Sequence, residues 1–179
     1  MKHLAFSLLS LFFLLQSCKK DDDGGCQGVD CLPPATQTGE GTFGCLVNGE
    51  PFVDNSGFFN CFYQLVDGEY FFSISAEDED AIPRNMRLST NDLQIEQDET
   101  YSLNEPLDGN AHASVIFSFN GTQPNINSTN QQFTGTMSIT KLDFTNNIVS
   151  GTFEFQIEDT LTGEIYSITD GRFDSFFTQ

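Results

Sequence analysis

Apolar and polar side chains alternate one by one along several short stretches of this chain. The clearest is Thr152-Phe153-Glu154-Phe155-Gln156-Ile157-Glu158, with Phe153, Phe155 and Ile157 on one side and Thr152, Glu154, Gln156 and Glu158 on the other. A period of two is that of a strand with one face buried and one in water. The same alternation runs through Tyr70, Phe72 and Ile74, through Val115, Phe117 and Phe119, and from Phe133 to Thr140. Turn-forming pairs punctuate the runs: Asn48-Gly49, Asp67-Gly68, Asp108-Gly109, Asn120-Gly121, Asn146-Asn147, Thr162-Gly163 and Asp170-Gly171. Asn-Gly and Asp-Gly pairs suit tight hairpins because both residues tolerate positive φ. The pattern predicts an all-β domain, an antiparallel β-sandwich with a small β-barrel as the alternative. No stretch carries a helical apolar period of useful length, and Arg84 to Gln97 is assigned one short turn at most.

Phenylalanine supplies the core. Of 19 in the chain, all but Phe6, Phe12 and Phe13 fall beyond residue 42, most on strand-like segments that suit aromatic rings. Phe117, Phe119, Phe153 and Phe155 lie on the apolar side of their own alternation. The hairpin from Phe58 to Phe72 is apolar on both faces. An aromatic surface exposed for a ligand is therefore expected there, with Phe58, Phe62 and Phe71 as the candidate contacts.

The first residues follow another pattern. Met1-Lys2-His3 precedes a run from Leu4 to Leu15 interrupted only by Ser7 and Ser10. This is too short for a bilayer span, which needs about 20 apolar residues, and has the length of a signal-peptide core. The following Leu15-Gln16-Ser17-Cys18 resembles a bacterial lipobox, which implies a signal peptide over 1–17, cleavage after Ser17 and a lipid on Cys18. Residues 18–41 then read as the lipidated cysteine and a flexible tether, the stretch after Cys18 reaching about 25 Å root-mean-square. The domain occupies 42–179. Lys19-Lys20-Asp21-Asp22-Asp23 resembles the signal that carries Bacteroidota lipoproteins to the outer face of the outer membrane.

With Cys18 set aside, the five cysteines leave Cys26, Cys31, Cys45 and Cys61. An even number in an exported chain predicts disulfides, and sequence proximity favours Cys26 with Cys31 and Cys45 with Cys61. The second bridge would close a loop of about 15 residues, worth roughly 3 kcal/mol in the chain-entropy model, and staple neighbouring strands. Zinc is disfavoured because no pair has CxxC spacing and His112 is the only histidine beyond the signal.

The formal charge is −19, with 26 acidic against 7 basic residues. From Glu40 onward 22 acids face only Arg84, Arg87, Lys141 and Arg172, so the acidity belongs to the domain. Nucleic acid is excluded as a partner, since phosphate contacts need a basic footprint. No Gly-x-Ser-x-Gly elbow surrounds any serine, and His112 reads as a surface or capping residue at the start of a strand, so no catalytic residues are assigned. With this many acids, a carboxylate-dependent polysaccharide hydrolase remains an alternative. Glu77-Asp78-Glu79-Asp80 could attract calcium, but it lacks the glycine and distal glutamate of an EF-hand loop, so no metal ligand is assigned and a calcium-stabilised adhesion domain is a further alternative. Asp159-Thr160-Leu161 resembles the O-glycosylation signal of exported Bacteroidota proteins, with Thr160 as the acceptor.

Two longer blocks carry a family resemblance. Leu32-Pro33-Pro34-Ala35-Thr36-Gln37-Thr38-Gly39 with Thr42-Phe43-Gly44-Cys45-Leu46-Val47-Asn48-Gly49 opens the domain. Ser150-Gly151-Thr152-Phe153-Glu154-Phe155 and Ile168-Thr169-Asp170-Gly171-Arg172-Phe173-Asp174, preceded by Lys141-Leu142-Asp143, stand toward its end. Together they resemble a family of small Bacteroidota lipoproteins built on one domain of unknown function. The resemblance implies an exported β-rich lipoprotein and carries no catalytic residues. The expectation is a non-enzymatic surface module, anchored to the outer membrane and facing the exterior, that binds a glycan or protein partner without a cofactor.

Overall fold

A computed structural model describes residues 26–120 and 122–179; the expected signal peptide and the lipid site Cys18 lie outside the described residues. Eleven strands follow one another: β1 (Thr42–Val47), β2 (Glu50–Val53), β3 (Asn60–Val66), β4 (Glu69–Glu77), β5 (Asn85–Asn91), β6 (Thr100–Leu103), β7 (Asn110–Asn120), β8 (Gln123–Ser128), β9 (Gly135–Asp143), β10 (Ile148–Asp159) and β11 (Glu164–Phe176). They form one sheet in the order β2-β1-β11-β10-β9-β6-β7-β5-β4-β3, with β8 added beside β7. Every pairing is antiparallel except a single-residue parallel contact between β6 and β7. The fold is all-β as expected. Its two packed layers are the two halves of one strongly curled sheet.

Hairpin chemistry sets the local geometry. Asn48-Gly49 and Asp67-Gly68 hold positive φ at both residues (51° and 90°, 52° and 93°), the twist that matches right-handed strands in two-residue loops. They close β1 on β2 and β3 on β4. Asp170-Gly171, expected as a turn, instead lies inside β11, where Asp170 (φ 53°) makes a bulge that shifts the register against both β1 and β10. Bulges bend a strand and increase its twist. The stretch from Arg84 to Gln97 contains β5, whose Met86 and Leu88 are fully buried in spite of polar neighbours.

The curl brings distant strands face to face. Phe43 on β1 packs on Phe153 of β10 at 4.9 Å between ring centroids, and Phe173 on β11 meets Phe72 on β4 at 6.2 Å, although β11 and β4 stand far apart in the sheet order. Phe153 pairs across the strands with Gly171, and Phe173 with Gly151, so each ring lies over a glycine. A Cβ at Gly171 would come within 2.5 Å of the Phe153 ring and backbone, which leaves room for no other residue.

Chain segments meet the sheet near both ends of its strand order. Beyond β11, Thr178 runs parallel to β3, accepting from Tyr63 N–H at 2.9 Å and donating its own N–H to Cys61 O at 3.1 Å. Beyond β2, Asn55 N–H donates to Glu77 O at 3.1 Å and Asp54 Oδ1 accepts from Glu77 N–H at 2.8 Å. Unpaired strand edges invite association with other chains, and the Thr178 pairing covers part of the β3 edge.

Residues 32–41, expected as part of a flexible tether, instead pack on the domain. Leu32 is buried, Pro33 lies against Gly44, and Gly39 sits under the Phe176 ring. One side chain organises this strap. The Asp174 carboxylate accepts from Thr36 Oγ1 (2.6 Å), Thr38 N–H (3.0 Å), Gly39 N–H (2.9 Å), Glu40 N–H (3.2 Å) and Ser150 Oγ (2.7 Å). Burial alone would push the Asp174 carboxyl up, but these donors outweigh it and hold it at about 2.

The cysteines divide. Cys26 and Cys31 form the expected disulfide across a short 3₁₀ turn, their Cα atoms 5.2 Å apart. Cys45 and Cys61 do not pair, which corrects the second expected bridge. Cys45 is on β1 and Cys61 on β3, near opposite ends of the sheet order, and the hairpins that separate them pair each strand with a different neighbour. The Cys45 Sγ meets Met86 Sδ at 3.8 Å. Burial pushes the Cys61 thiol up to about 12 against the opposing hydrogen bond with Ser175, and drives Cys45 up as well.

Two outcomes are expected. A thiol-specific reagent should leave Cys45 and Cys61 unmodified in the native protein and label both after denaturation without reductant; labelling of neither would mean that they are bonded. Asp174 has a carboxyl held below its unfolded value, so its stabilisation is fully present above about pH 4 and is lost as pH falls toward 2, worth about 2 kcal/mol. Asp174→Asn should remove most of that acid dependence in chemical denaturation series at graded pH and expose residues 32–41 to limited proteolysis.

Candidate binding pocket

Strands β3, β4, β5, β7 and β8 alternate as sequence arithmetic requires. Cys61, Tyr63, Phe72, Ile74, Met86, Leu88, Ala113 and Val115 point inward and are buried. The residues between them face outward, and the register aligns them in rows. Phe62, Ser73, Ser89 and His112 lie side by side on successive strands. Ser75, Arg87, Ser114 and Ser128 form the next row, and Asn85, Ile116 and Ile126 the one beyond.

The central row is short where its surroundings are tall. Ser73 and Ser89, though on the outer face, are only 6% and 7% exposed. Phe62 and Phe71 rise on one side, and Ile116 and Ile126 on the other, leaving a concavity of about 310 Å³ that Arg87, Asn85, Asn91, His112 and Ser114 also line. This is the small end of the usual range for ligand pockets, about 300–1,000 Å³. Ser89 Oγ donates to Ser73 Oγ at 3.0 Å, fixing the floor, and the Ser114 and Ser128 hydroxyls bond at 2.8 Å.

His112 is the unusual member. It is 8% exposed, and its Nδ1 is buried without a hydrogen-bond partner. Burial, and secondarily the Arg87 guanidinium, lower its pKa, so the imidazole is neutral at pH 7. A neutral imidazole can donate from one nitrogen and accept at the other. A buried polar atom left unpaired costs about 1–3 kcal/mol. The expectation of a surface or capping histidine is corrected: β7 begins two residues earlier and carries His112 into the sheet.

Arg87 is exceptional among the cations of the domain. Arg84 is paired with Glu77 at 2.7 Å and reaches Glu79 at 3.8 Å, and Lys141 lies 3.6 Å from Asp143. Arg172 donates to the backbone carbonyls of Asp170 and Pro33. Among the described residues, no carboxylate pairs with Arg87; its cross-strand neighbours are Ser75 and Ser114. The pocket lining contains no aspartate or glutamate.

The aromatic contacts expected from sequence separate here. Phe62 and Phe71 line the pocket, whereas Phe58, 76% exposed in the loop before β3, does not. The meeting of Arg87, His112, Ser73 and Ser89 depends on the pairing of β4, β5 and β7, which local sequence does not carry. The signal available was the set of polar outward positions in Ser73-Ile74-Ser75, Arg87-Leu88-Ser89 and His112-Ala113-Ser114, each spaced by a buried apolar residue.

The other flagged positions have structural partners. Asp78 accepts from Asn55 Nδ2 (2.9 Å), Val53 N–H (3.3 Å) and Asp80 N–H (3.1 Å), while Glu77 and Glu79 face Arg84. Among the described residues no three metal-ligating side chains cluster. Thr160 is exposed at the turn between β10 and β11, with its hydroxyl donating to Asn127 Oδ1 at 2.7 Å. Comparison with protein-family models, curated proteins and solved structures returns no match.

Proposed function

We propose that this protein is a lipid-anchored, surface-facing outer-membrane lipoprotein whose domain binds a short glycan in the pocket over β3, β4, β5, β7 and β8. The observation that carries the reading is the juxtaposition of two aromatic rings, Phe62 and Phe71, with a floor of serine hydroxyls and the unpartnered Nδ1 of His112. A sugar ring presents an apolar face of C–H groups and an edge of hydroxyls. Phenylalanine rings suit the face, and Ser73, Ser89, Asn85, Asn91 and His112 offer donors and acceptors to the edge. A protein partner would be expected to bury about 800 Å² on each side, more than so confined a concavity offers by itself.

Binding without turnover is favoured by the same lining. Hydrolysis by paired carboxylates needs two acids flanking the scissile bond, and the pocket carries none. A serine nucleophile would need a base held by a third group, and among the described residues no hydrogen bond ties His112 to a serine or carboxylate. The anchor rests on the Leu15-Gln16-Ser17-Cys18 motif.

In affinity electrophoresis through a panel of soluble polysaccharides, Phe62→Ala and Phe71→Ala should each weaken retention roughly tenfold or more, while Phe58→Ala matches the unaltered protein. Retention insensitive to Phe62 and Phe71 would remove the pocket from the account. Separately, Cys18→Ala should abolish incorporation of labelled fatty acid and release the protein from membranes. Protease added to intact cells should trim the unaltered protein, and full protection would place the domain on the inner side.

A further inference from the structure

Resting on the glycan reading above, we infer that the pocket selects a sugar carrying a single carboxylate, with Arg87 as the group that recognises the charge. In a domain where acids far outnumber bases, a guanidinium without a carboxylate neighbour stands out. The remaining domain cations, Arg84, Lys141 and Arg172, have acidic or carbonyl partners. Arg87 has none among the described residues, yet it stands at a concave site whose lining is otherwise uncharged. A guanidinium offers a planar fork of donors that matches a carboxylate through two parallel hydrogen bonds.

The second observation is independent of charge. His112 Nδ1 is buried, unpartnered and one row across from Arg87 on the neighbouring strand. A sugar acid bound with its carboxylate on Arg87 and its ring against Phe62 and Phe71 would direct ring hydroxyls toward Ser73, Ser89 and His112. A neutral sugar would use the rings and hydroxyls but leave Arg87 unmatched.

The overall charge narrows the ligand further. One unpaired cation in the pocket balances one negative charge, whereas the surrounding acidic domain repels a chain of many. The attraction of Arg87 acts at contact, while the repulsion spreads over the surface and is screened beyond about 8 Å at physiological ionic strength. The fitting ligand is therefore a terminal or isolated sugar acid and not an extended polyanion.

The test uses the full-length protein in mild detergent, titrated by calorimetry with D-galacturonate, its methyl ester, N-acetylneuraminate and acetate. The two sugar acids represent a uronic and a sialic source of the same chemistry, and the ester keeps the ring while removing the charge. At least one sugar acid should bind, and the ester should bind roughly tenfold or more weakly than galacturonate if that is the acid preferred. Arg87→Gln should abolish the preference for the acid over its ester while leaving the melting temperature unchanged, and Arg87→Lys should restore part of that preference. Equal binding of galacturonate and its ester, with both lost in Phe71→Ala, would overturn the carboxylate inference and leave the glycan pocket standing. Acetate binding as tightly as the preferred sugar acid would reduce the site to a general anion contact and also overturn it. No heat or competition from any of these sugars at about 10 mM, together with no retention on any polysaccharide, would overturn both readings.

Discussion

The mutual fit of two phenylalanines and two glycines between β10 and β11 governs the shape of the sheet. Phe153 covers Gly171 and Phe173 covers Gly151, each ring taking the space a neighbouring side chain would fill. Bare backbone under an aromatic ring lets the strands bend sharply without opening a void. The bulge at Asp170 adds twist at the same place. From that bend the two wings of the sheet fold toward each other. Phe173 then meets Phe72, Phe43 meets Phe153, and a single core forms between them. Removing one ring would therefore cost more than its own buried area, since it would also empty the space above a glycine.

Much of this was legible in the alternation. Phe153, Phe155 and Ile157 are buried on β10, and Phe72 and Ile74 on β4, as the period of two requires. Phe119 departs from the pattern at 53% exposed, near the end of β7 where the alternation has passed beyond the core. The strand β5 was obscured because Asn85, Arg87, Ser89 and Asn91 lower its average hydropathy, while only Met86 and Leu88 mark its inner face. Aspartate or asparagine followed by glycine reads as punctuation, yet Asp170-Gly171 serves a bend within a strand. The distinction depends on Phe153, which approaches from another strand and is invisible in local sequence. Loop closure by Cys45 and Cys61 looked favourable from chain separation, but chain separation says nothing about which sheet neighbours those strands acquire.

The pocket was legible only on its aromatic side. Phe62 and Phe71 stand out in sequence because the hairpin that carries them is apolar on both faces. Serine, arginine and histidine on an outer face look ordinary in sequence, because outer positions are usually polar. What distinguishes them is that Ser73, Ser89 and His112 are sunk between taller neighbours, a property of register across three strands. The strap from Leu32 to Gly41 reads as a linker for a similar reason: its prolines, threonines and glycines lack periodicity, and the acceptor that orders them, Asp174, is more than 130 residues away in sequence.

The pairing of β1 with β11 has a consequence for the order of events in synthesis. Residues 42–47 pair with β2 on one side at once, but their other sheet partner lies among residues 168–174, and the edge of β3 is met by Thr178. During synthesis the early strands emerge long before the segments that cover their backbone and complete their core. Such distant pairing slows folding, since loop closure must precede the contacts that reward it. Completion of the sheet is deferred by topology until the late strands arrive.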